Sequence, residues 1–124
     1  MGLMVTPLPD GKTWEVVEDY QILLPIVFSL HKLTVPKGFQ FDFASTPKFL
    51  WRFFPPATGK YREPSAIHDY LYASGITTRL EADKIFLHLM KEAGVSDWKR
   101  YIMYWAVRLF GSSHWEHING DYLR

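Results

Sequence analysis

The hydrophobic pattern of this chain changes between residues 43 and 47, and this change constrains the fold more than any other feature. Residues 12–43 are β-rich, and their last segment, 39–43, alternates aromatic with polar side chains as a half-buried strand does. Residues 47–111 instead place apolar side chains at helical spacing. The pattern predicts an α+β fold, in which an N-terminal antiparallel β-meander packs against three to four C-terminal α-helices.

Turn and capping signals divide these two regions into elements. The sequence predicts strands at 13–17, 20–24, 28–35 and 39–43, and helices at 47–54, 64–73, 78–92 and 96–110. In the last helix four large side chains recur at helical spacing, and we expect them to form a core stripe: Trp98, Ile102, Trp105 and Leu109. Residues 112–124 are predicted to form a polar tail, and the whole chain, 1–124, a single domain.

Composition excludes several classes of function. The 14 basic and 13 acidic residues give a net charge of +1, which provides no electrostatic basis for general nucleic-acid binding. The absence of cysteine excludes disulfides, thiolate catalysis and zinc–cysteine sites. The longest apolar stretches are too short to span a bilayer, and residues 1–10 lack the features of a signal peptide.

The segment His68-Asp69-Tyr70-Leu71-Tyr72 is the strongest candidate site. Because positions i and i+4 share a helix face, we expect His68 and Tyr72 to project together, with Asp69 beside Tyr72. A histidine, a carboxylate and a phenol on one helical turn are suited to proton transfer or to metal binding. The alternative is a half-buried polar cluster that only fixes helix packing.

Asp83 is the candidate partner of His68. It lies at the edge of the apolar face of the predicted 78–92 helix, where a carboxylate needs a partner. Helices joined by a short loop pack as antiparallel neighbours, so Asp83 is expected to reach His68 and fix its tautomer. The alternative is that Asp83 pairs in solvent with Arg79 or Lys84.

Asp42, Ser45 and Arg52 are further candidates near the change of pattern. Asp42 points to the face opposite its two phenylalanine neighbours, and it is either a reactive carboxylate or the acceptor of backbone N–H groups at a strand-to-helix corner. Ser45 is expected to support the site or to cap the next helix. Arg52 is a candidate for pairing with the acidic cluster or for binding an anionic substrate.

Four motifs occur in order along the chain: residues 35–47 (VPKGFQFDFASTP), 68–72 (HDYLY), 81–86 (EADKIF) and 103–111 (MYWAVRLFG). Together they resemble DUF1353, a family of unknown function associated with phages and prophages. The resemblance covers residues 33–111. It implies a phage or prophage origin, with a location in the bacterial host cytoplasm or in the phage particle, but no established activity.

His68, Asp69 and Tyr72 also resemble the His-Asp-x-x-Tyr helix of secreted phospholipases of the A2 type, and Asp83 resembles the aspartate that orients the histidine there. That resemblance implies that His68 activates water and that Asp69 helps bind Ca²⁺. The chain departs from those enzymes because it has no cysteines and lacks their glycine-rich calcium loop before the helix.

These observations lead to two expectations for function. The first is a phage-encoded hydrolase of envelope lipid or cell-wall material, with His68 as general base, Asp83 as its orienting group and Tyr72 in support. In this hypothesis Asp69 and Asp42 bind metal or substrate. The second is a non-catalytic protein in which the same cluster is structural: a phage tail component, an assembly factor or a host-modulating binder.

Overall fold

The computed structural model describes residues 2–119 and divides the chain into two compact units, Met1–Asp42 and Phe43–Arg124. Antiparallel strands occupy the first unit and helices occupy the second. The predicted α+β class, with N-terminal antiparallel strands followed by helices, is therefore confirmed. The prediction that residues 1–124 form a single domain stays a prediction.

The strands of the first unit form two sheets. They are β1 (Val5–Pro7), β2 (Trp14–Val16), β3 (Tyr20–Leu23), β4 (Lys32–Val35) and β5 (Gln40–Phe41). One sheet has the order β1-β2-β5, and β3 pairs only with β4. The strands do not form one continuous meander, because β5 returns to β2 with Trp14 opposite Phe41 and leaves the β3–β4 hairpin as a separate pair.

The second unit contains α1 (Arg62–Ser74), α2 (Arg79–Glu92), α3 (Asp97–Phe110) and α4 (Ser112–Asn119). Gly75 ends α1 in the left-handed conformation, with φ 65°, and the Thr78 side chain caps α2 by accepting from the Glu81 N–H. The helix predicted at 47–54 is only a 3-10 turn, Lys48–Leu50. Phe54 precedes Pro55, and a residue before proline disfavours the helical conformation.

The core of this unit lies between α2, α3 and the segment before α1. Its buried apolar residues are Leu50, Phe54, Phe86, Met90, Val95, Met103, Ala106 and Val107. The core stripe predicted for the last helix is wrong, because its four members are exposed and the opposite side of α3 is buried. Helix α3 is apolar on both sides, so the spacing of its apolar residues does not indicate which side faces the core. The side that faces the core carries the smaller residues Ala106 and Val107.

The predicted polar tail, 112–124, contains a further helix. Residues Ser112–Asn119 form α4, and the remaining residues, 120–124, lie outside the described part of the chain. Across residues 2–119, none of the helices combines the length and the apolar character needed to cross a membrane.

Candidate functional site

The antiparallel pair α1–α2 brings two charged or ionisable side chains together inside the second unit. His68 on α1 and Asp83 on α2 are both fully buried, and His68 Nε2 lies 2.7 Å from Asp83 Oδ1. A four-residue connection between the helices, 75–78, keeps these two faces opposed. The histidine is thereby held by a carboxylate from the neighbouring helix.

The Asp83 carboxylate accepts hydrogen bonds from two further side chains, one on α1 and one on α3. Tyr72 Oη donates to Asp83 Oδ1 at 2.7 Å, and Arg108 Nη1 on α3 donates to Asp83 Oδ2 at 2.8 Å. Arg79 Nη1 lies 3.5 Å from the same Oδ2. Arg79 is therefore one partner of Asp83, as in the alternative interpretation. The Asp83 carboxylate is buried, however, and does not pair in solvent. Lys84, the other partner considered, is exposed.

The second ring nitrogen of His68 faces a serine. Ser45 Oγ lies 2.8 Å from His68 Nδ1, and Ser45 is only 1% exposed. The same hydroxyl donates to Asp69 Oδ1, which also accepts from the Ser45 backbone N–H at 3.1 Å. Ser45, His68 and Asp83 thus lie in a row at hydrogen-bonding distances, and Asp69 on α1 competes with His68 Nδ1 for the single serine proton.

The backbone that presents Ser45 is strained. Phe43, two residues earlier, has φ 62°, and it is the one non-glycine residue with positive φ in the part of the chain that the structure describes. This conformation is unfavourable for a bulky side chain, with a cost on the order of 1–3 kcal/mol, and such strain concentrates at functional sites. The turn is closed by the Thr46 N–H, which donates to the Phe43 carbonyl oxygen at 3.1 Å.

Burial and hydrogen bonding set the charge of the pair. Burial lowers the pKa of His68, and the neighbouring Asp83 only partly opposes this effect. Burial alone would raise the pKa of Asp83, but the hydrogen bonds from His68, Tyr72 and Arg108 outweigh it and hold the pKa below its usual range. A neutral imidazole beside an ionised carboxylate carries its proton on Nε2, so Nδ1 is left as an acceptor facing Ser45.

Aromatic rings enclose the histidine. The Tyr72 and Phe86 rings lie 4.3 Å and 4.5 Å from the imidazole, centroid to centroid. Burial and the charge of Asp83 raise the pKa of Tyr72, so its hydroxyl stays protonated and able to donate. Among the described residues, two buried hydroxyls have no hydrogen-bond partner, those of Thr46 and Ser65.

The structure brings five of the seven predicted site residues into one network: Ser45, His68, Asp69, Tyr72 and Asp83. Asp42 is an exposed residue of the first unit, and its role stays a prediction. Arg52 is exposed and takes no part in these contacts. Sequence reasoning missed Arg108, although a buried carboxylate needs a cation and Arg108 directly follows Val107 on the buried side of α3.

Calcium does not fit these residues. Within the part of the chain that the structure describes, no group of three or more histidine, aspartate or glutamate side chains is arranged to hold a metal ion. One oxygen of Asp69, the metal ligand implied by the phospholipase resemblance, accepts two hydrogen bonds from Ser45. Ca²⁺ prefers six to eight oxygen ligands, so we assign it no role in the chemistry below.

Comparison with known proteins places this site in a family without an assigned activity. The uncharacterized protein y4jT of Sinorhizobium fredii (strain NBRC 101917 / NGR234) is 37% identical over 81 residues, a match that covers 64% of this chain but 24% of the relative's length. No solved structure matches the chain. The family model of DUF1353, described as a protein of unknown function, matches residues 14–107. This match spans most of the chain, which therefore belongs to the DUF1353 family.

Proposed function

We propose that this protein is a hydrolase of acyl esters whose reaction centre is the chain Ser45–His68–Asp83. One observation carries the proposal: His68 has a hydroxyl 2.8 Å from Nδ1 and a carboxylate 2.7 Å from Nε2. A nucleophile within hydrogen-bond reach of a base, with the base oriented by a third group, is the arrangement that serine hydrolases use on unrelated folds.

In the proposed reaction His68 is the general base. Ser45 Oγ attacks the ester carbonyl carbon while its proton moves to His68 Nδ1, and Asp83 stabilises the imidazolium that forms. The proton then passes to the leaving alkoxide as the ester bond breaks. Water, deprotonated by His68, hydrolyses the acyl-serine and restores both residues. Tyr72 and Arg108 take no proton in this scheme, but they hold Asp83 in place.

Two features favour a reactive site over a network that only stabilises the fold. Phe43 is held in an unfavourable conformation beside the serine, and Thr46, the next residue after Ser45, has a buried hydroxyl without a partner among the described residues. A purely structural network needs neither feature, since native cores leave few buried polar groups unpaired. In an enzyme the Thr46 hydroxyl is a donor available to a substrate oxygen.

The segment that follows Ser45 favours a lipid-like substrate. Phe49 and Phe53 are 59% and 70% exposed, which is unusual for phenylalanine and suits contact with acyl chains. The phage or prophage origin implied by the sequence motifs remains an expectation. On the basis of that expected origin, the substrate class that we propose is an ester of the bacterial envelope. The ester belongs either to an envelope lipid or to cell-wall material.

A second candidate function is non-catalytic, and burial favours it. Ser45, His68 and Asp83 are at most 1% exposed, and both ring nitrogens of His68 contact buried protein groups. In this alternative the network only fixes the Ser45 turn against α1, and the protein is a particle component, an assembly factor or a host-modulating binder. The hydrolase proposal therefore requires the Ser45 turn to move aside when substrate binds.

Ester turnover separates these two functions. The wild-type protein is assayed with p-nitrophenyl esters of short and long acyl chains and with phosphatidylglycerol vesicles, in calcium and in EDTA. Labelling by a fluorophosphonate, followed by peptide mapping, reports on the serine. The test variants are Ser45→Ala and His68→Gln. Their matched controls are Ser74→Ala, at the C-terminal end of α1, and His88→Gln, a half-buried histidine of α2.

We expect wild-type turnover with a preference for long chains, labelling at Ser45, and a loss on the order of 10²–10⁴-fold in both test variants. The controls should keep activity within about twofold. A wild-type protein that neither turns over any of these esters nor labels at Ser45, and in which His68→Gln only lowers thermal stability, would refute the hydrolase and support the structural alternative.

A further inference from the structure

Helix α3 exposes a row of large apolar side chains on one side. Trp98, Ile102, Trp105 and Leu109 are 61%, 42%, 56% and 68% exposed, and Tyr101, at 47%, lies beside them. We call these five residues the α3 outer face. At 100° per residue they fall within an arc of about 100°, opposite the buried Met103–Val107 side. An amphipathic helix would place charged or polar residues in these positions.

The α3 outer face is large enough for a specific interface. A large aromatic side chain has about 150–250 Å² to bury, so five side chains that are about half exposed offer about 500 Å². Two copies would together bury about 1,000 Å², which is the lower limit for a specific interface between proteins.

The order of side chains along α3 is complementary to itself. Aromatic and aliphatic residues alternate from one end of the face to the other, as Trp98, Ile102, Trp105 and Leu109. When two copies of α3 lie antiparallel about a two-fold axis between residues 103 and 104, Trp98 meets Leu109 of the second copy and Ile102 meets its Trp105. Both tryptophan rings then pack on an aliphatic side chain, and the two helix dipoles oppose one another favourably.

We propose that the protein forms a symmetric dimer through antiparallel packing of the α3 outer faces. A second copy is the occupant because the face presents equal and complementary halves about its own midpoint, as an isologous interface requires. This interface uses none of the residues of the Ser45–His68–Asp83 chain, so the dimer and the proposed reaction stand or fall separately.

Sedimentation equilibrium over about 1–200 µM protein measures the association. We expect dimers in the wild type, and at least a tenfold weaker association in Trp105→Glu, which places a charge at the centre of the face. Ile76→Glu is the matched control, since Ile76 is 50% exposed outside α3 and should leave the dimer intact. Circular dichroism verifies that both variants keep their helices. A wild type that stays monomeric, including one that binds vesicles as a monomer, would overturn the proposal.

Cysteine cross-linking tests the antiparallel register without background, because the chain has no cysteine. Residues 98 and 109 lie about 16 Å apart along the helix. Trp98→Cys alone and Leu109→Cys alone should therefore remain uncross-linked after mild oxidation, since a disulfide needs Cα atoms within about 7 Å. An equimolar mixture should form the 98–109 cross-link. Cross-linking of each variant with itself, and not in the mixture, would indicate a parallel pair and overturn the proposed geometry.

Discussion

The burial of His68 predicts that the protein loses stability as the pH falls below about 6.5. Burial lowers the pKa of His68 in the folded protein, whereas in the unfolded chain the pKa returns to the ordinary histidine value of about 6.5. Below that pH the unfolded chain binds a proton that the folded protein does not bind. The free energy of unfolding therefore decreases as the solution is acidified, and the stabilisation is fully present only above pH 6.5.

The size of this effect follows from the linkage relation. As long as His68 stays neutral in the folded protein, lowering the pH from 7 to 5.5 removes about 1.3 kcal/mol from the free energy of unfolding. Urea denaturation at several pH values measures this change. His68→Gln should lack the His68 contribution, whereas His88→Gln, on the neighbouring helix, should retain it. Subtracting the His68→Gln series from the wild-type series leaves the His68 contribution, and the same subtraction with His88→Gln is the control.

A second measurement keeps this prediction testable should His68→Gln fail to fold. The ring ¹⁵N signals of His68 in the wild-type protein should keep their neutral pattern down to the pH at which the protein unfolds. Equal acid sensitivity of wild type and His68→Gln, or protonation of the folded His68 ring near pH 6.5, would refute the argument from burial.

Two further variants test the support of the network. Tyr72→Phe removes the hydrogen bond to the Asp83 carboxylate, and we expect a loss of about 1.5–3 kcal/mol in urea denaturation, since the acceptor is charged and buried; a loss below about 0.5 kcal/mol would mean that this hydrogen bond contributes little. Gly111→Ala adds a Cβ that overlaps the Val107 carbonyl oxygen and lies 2.7 Å from Tyr72 Oη. We expect a lower melting temperature in a thermal scan, and an unchanged one would contradict the close packing of Gly111 against Tyr72.

The local signals in the sequence were sufficient for α1 and α2. The capping box at Thr78, the glycine at residue 75 and the i, i+4 spacing of His68 and Tyr72 are each determined by a few neighbouring residues. Once the two helices are known, their short connection makes them antiparallel neighbours. The side of α2 that carries Asp83 then faces α1, which carries His68. The His68–Asp83 contact was therefore within reach of sequence reasoning.

The orientation of α3 was beyond that reasoning for a physical reason. Both sides of the helix are apolar, so the spacing of Trp98, Ile102 and Trp105 satisfies the core pattern as well as that of Met103 and Val107 does. The choice between the two sides depends on how closely α2 and α3 can approach, which is a property of the packed structure. A surface that binds another molecule has the same residue pattern as a core.

The position of Ser45 depended on tertiary structure in a different way. Its sequence context, before Thr46 and Pro47, is that of a helix cap, but the 3-10 turn that follows, Lys48–Leu50, has Pro47 at its N-cap position. The strained Phe43 instead turns the backbone so that Ser45 reaches α1, where His68 and Asp69 lie on consecutive positions. Strain at one residue cannot be deduced from a sequence that contains no glycine there.

The Ser45 hydroxyl has one proton and two acceptors, His68 Nδ1 and the Asp69 carboxylate. Because they compete for that proton, their contributions to stability cannot be independent. Ser45→Ala leaves His68 Nδ1 buried without a donor, and we expect a loss of about 1–3 kcal/mol. In a double-mutant cycle with Asp69→Asn we expect a coupling energy above about 0.5 kcal/mol. The control cycle pairs Ser45→Ala with Asp97→Asn, whose partner is Arg100, and should be additive within that limit.

A coupling energy near zero in the Ser45–Asp69 cycle would mean that the serine hydroxyl does not donate to Asp69. The proposed reaction would then begin from a serine bonded to only one of the two groups. A measurable coupling would mean that Asp69 holds the serine proton away from His68 in the resting protein. Substrate binding that moves the Ser45 turn away from Asp69 would break the bonds from both the N–H and the hydroxyl of Ser45, and would free the serine proton for His68. Activation of the base and opening of the site would then be the same event.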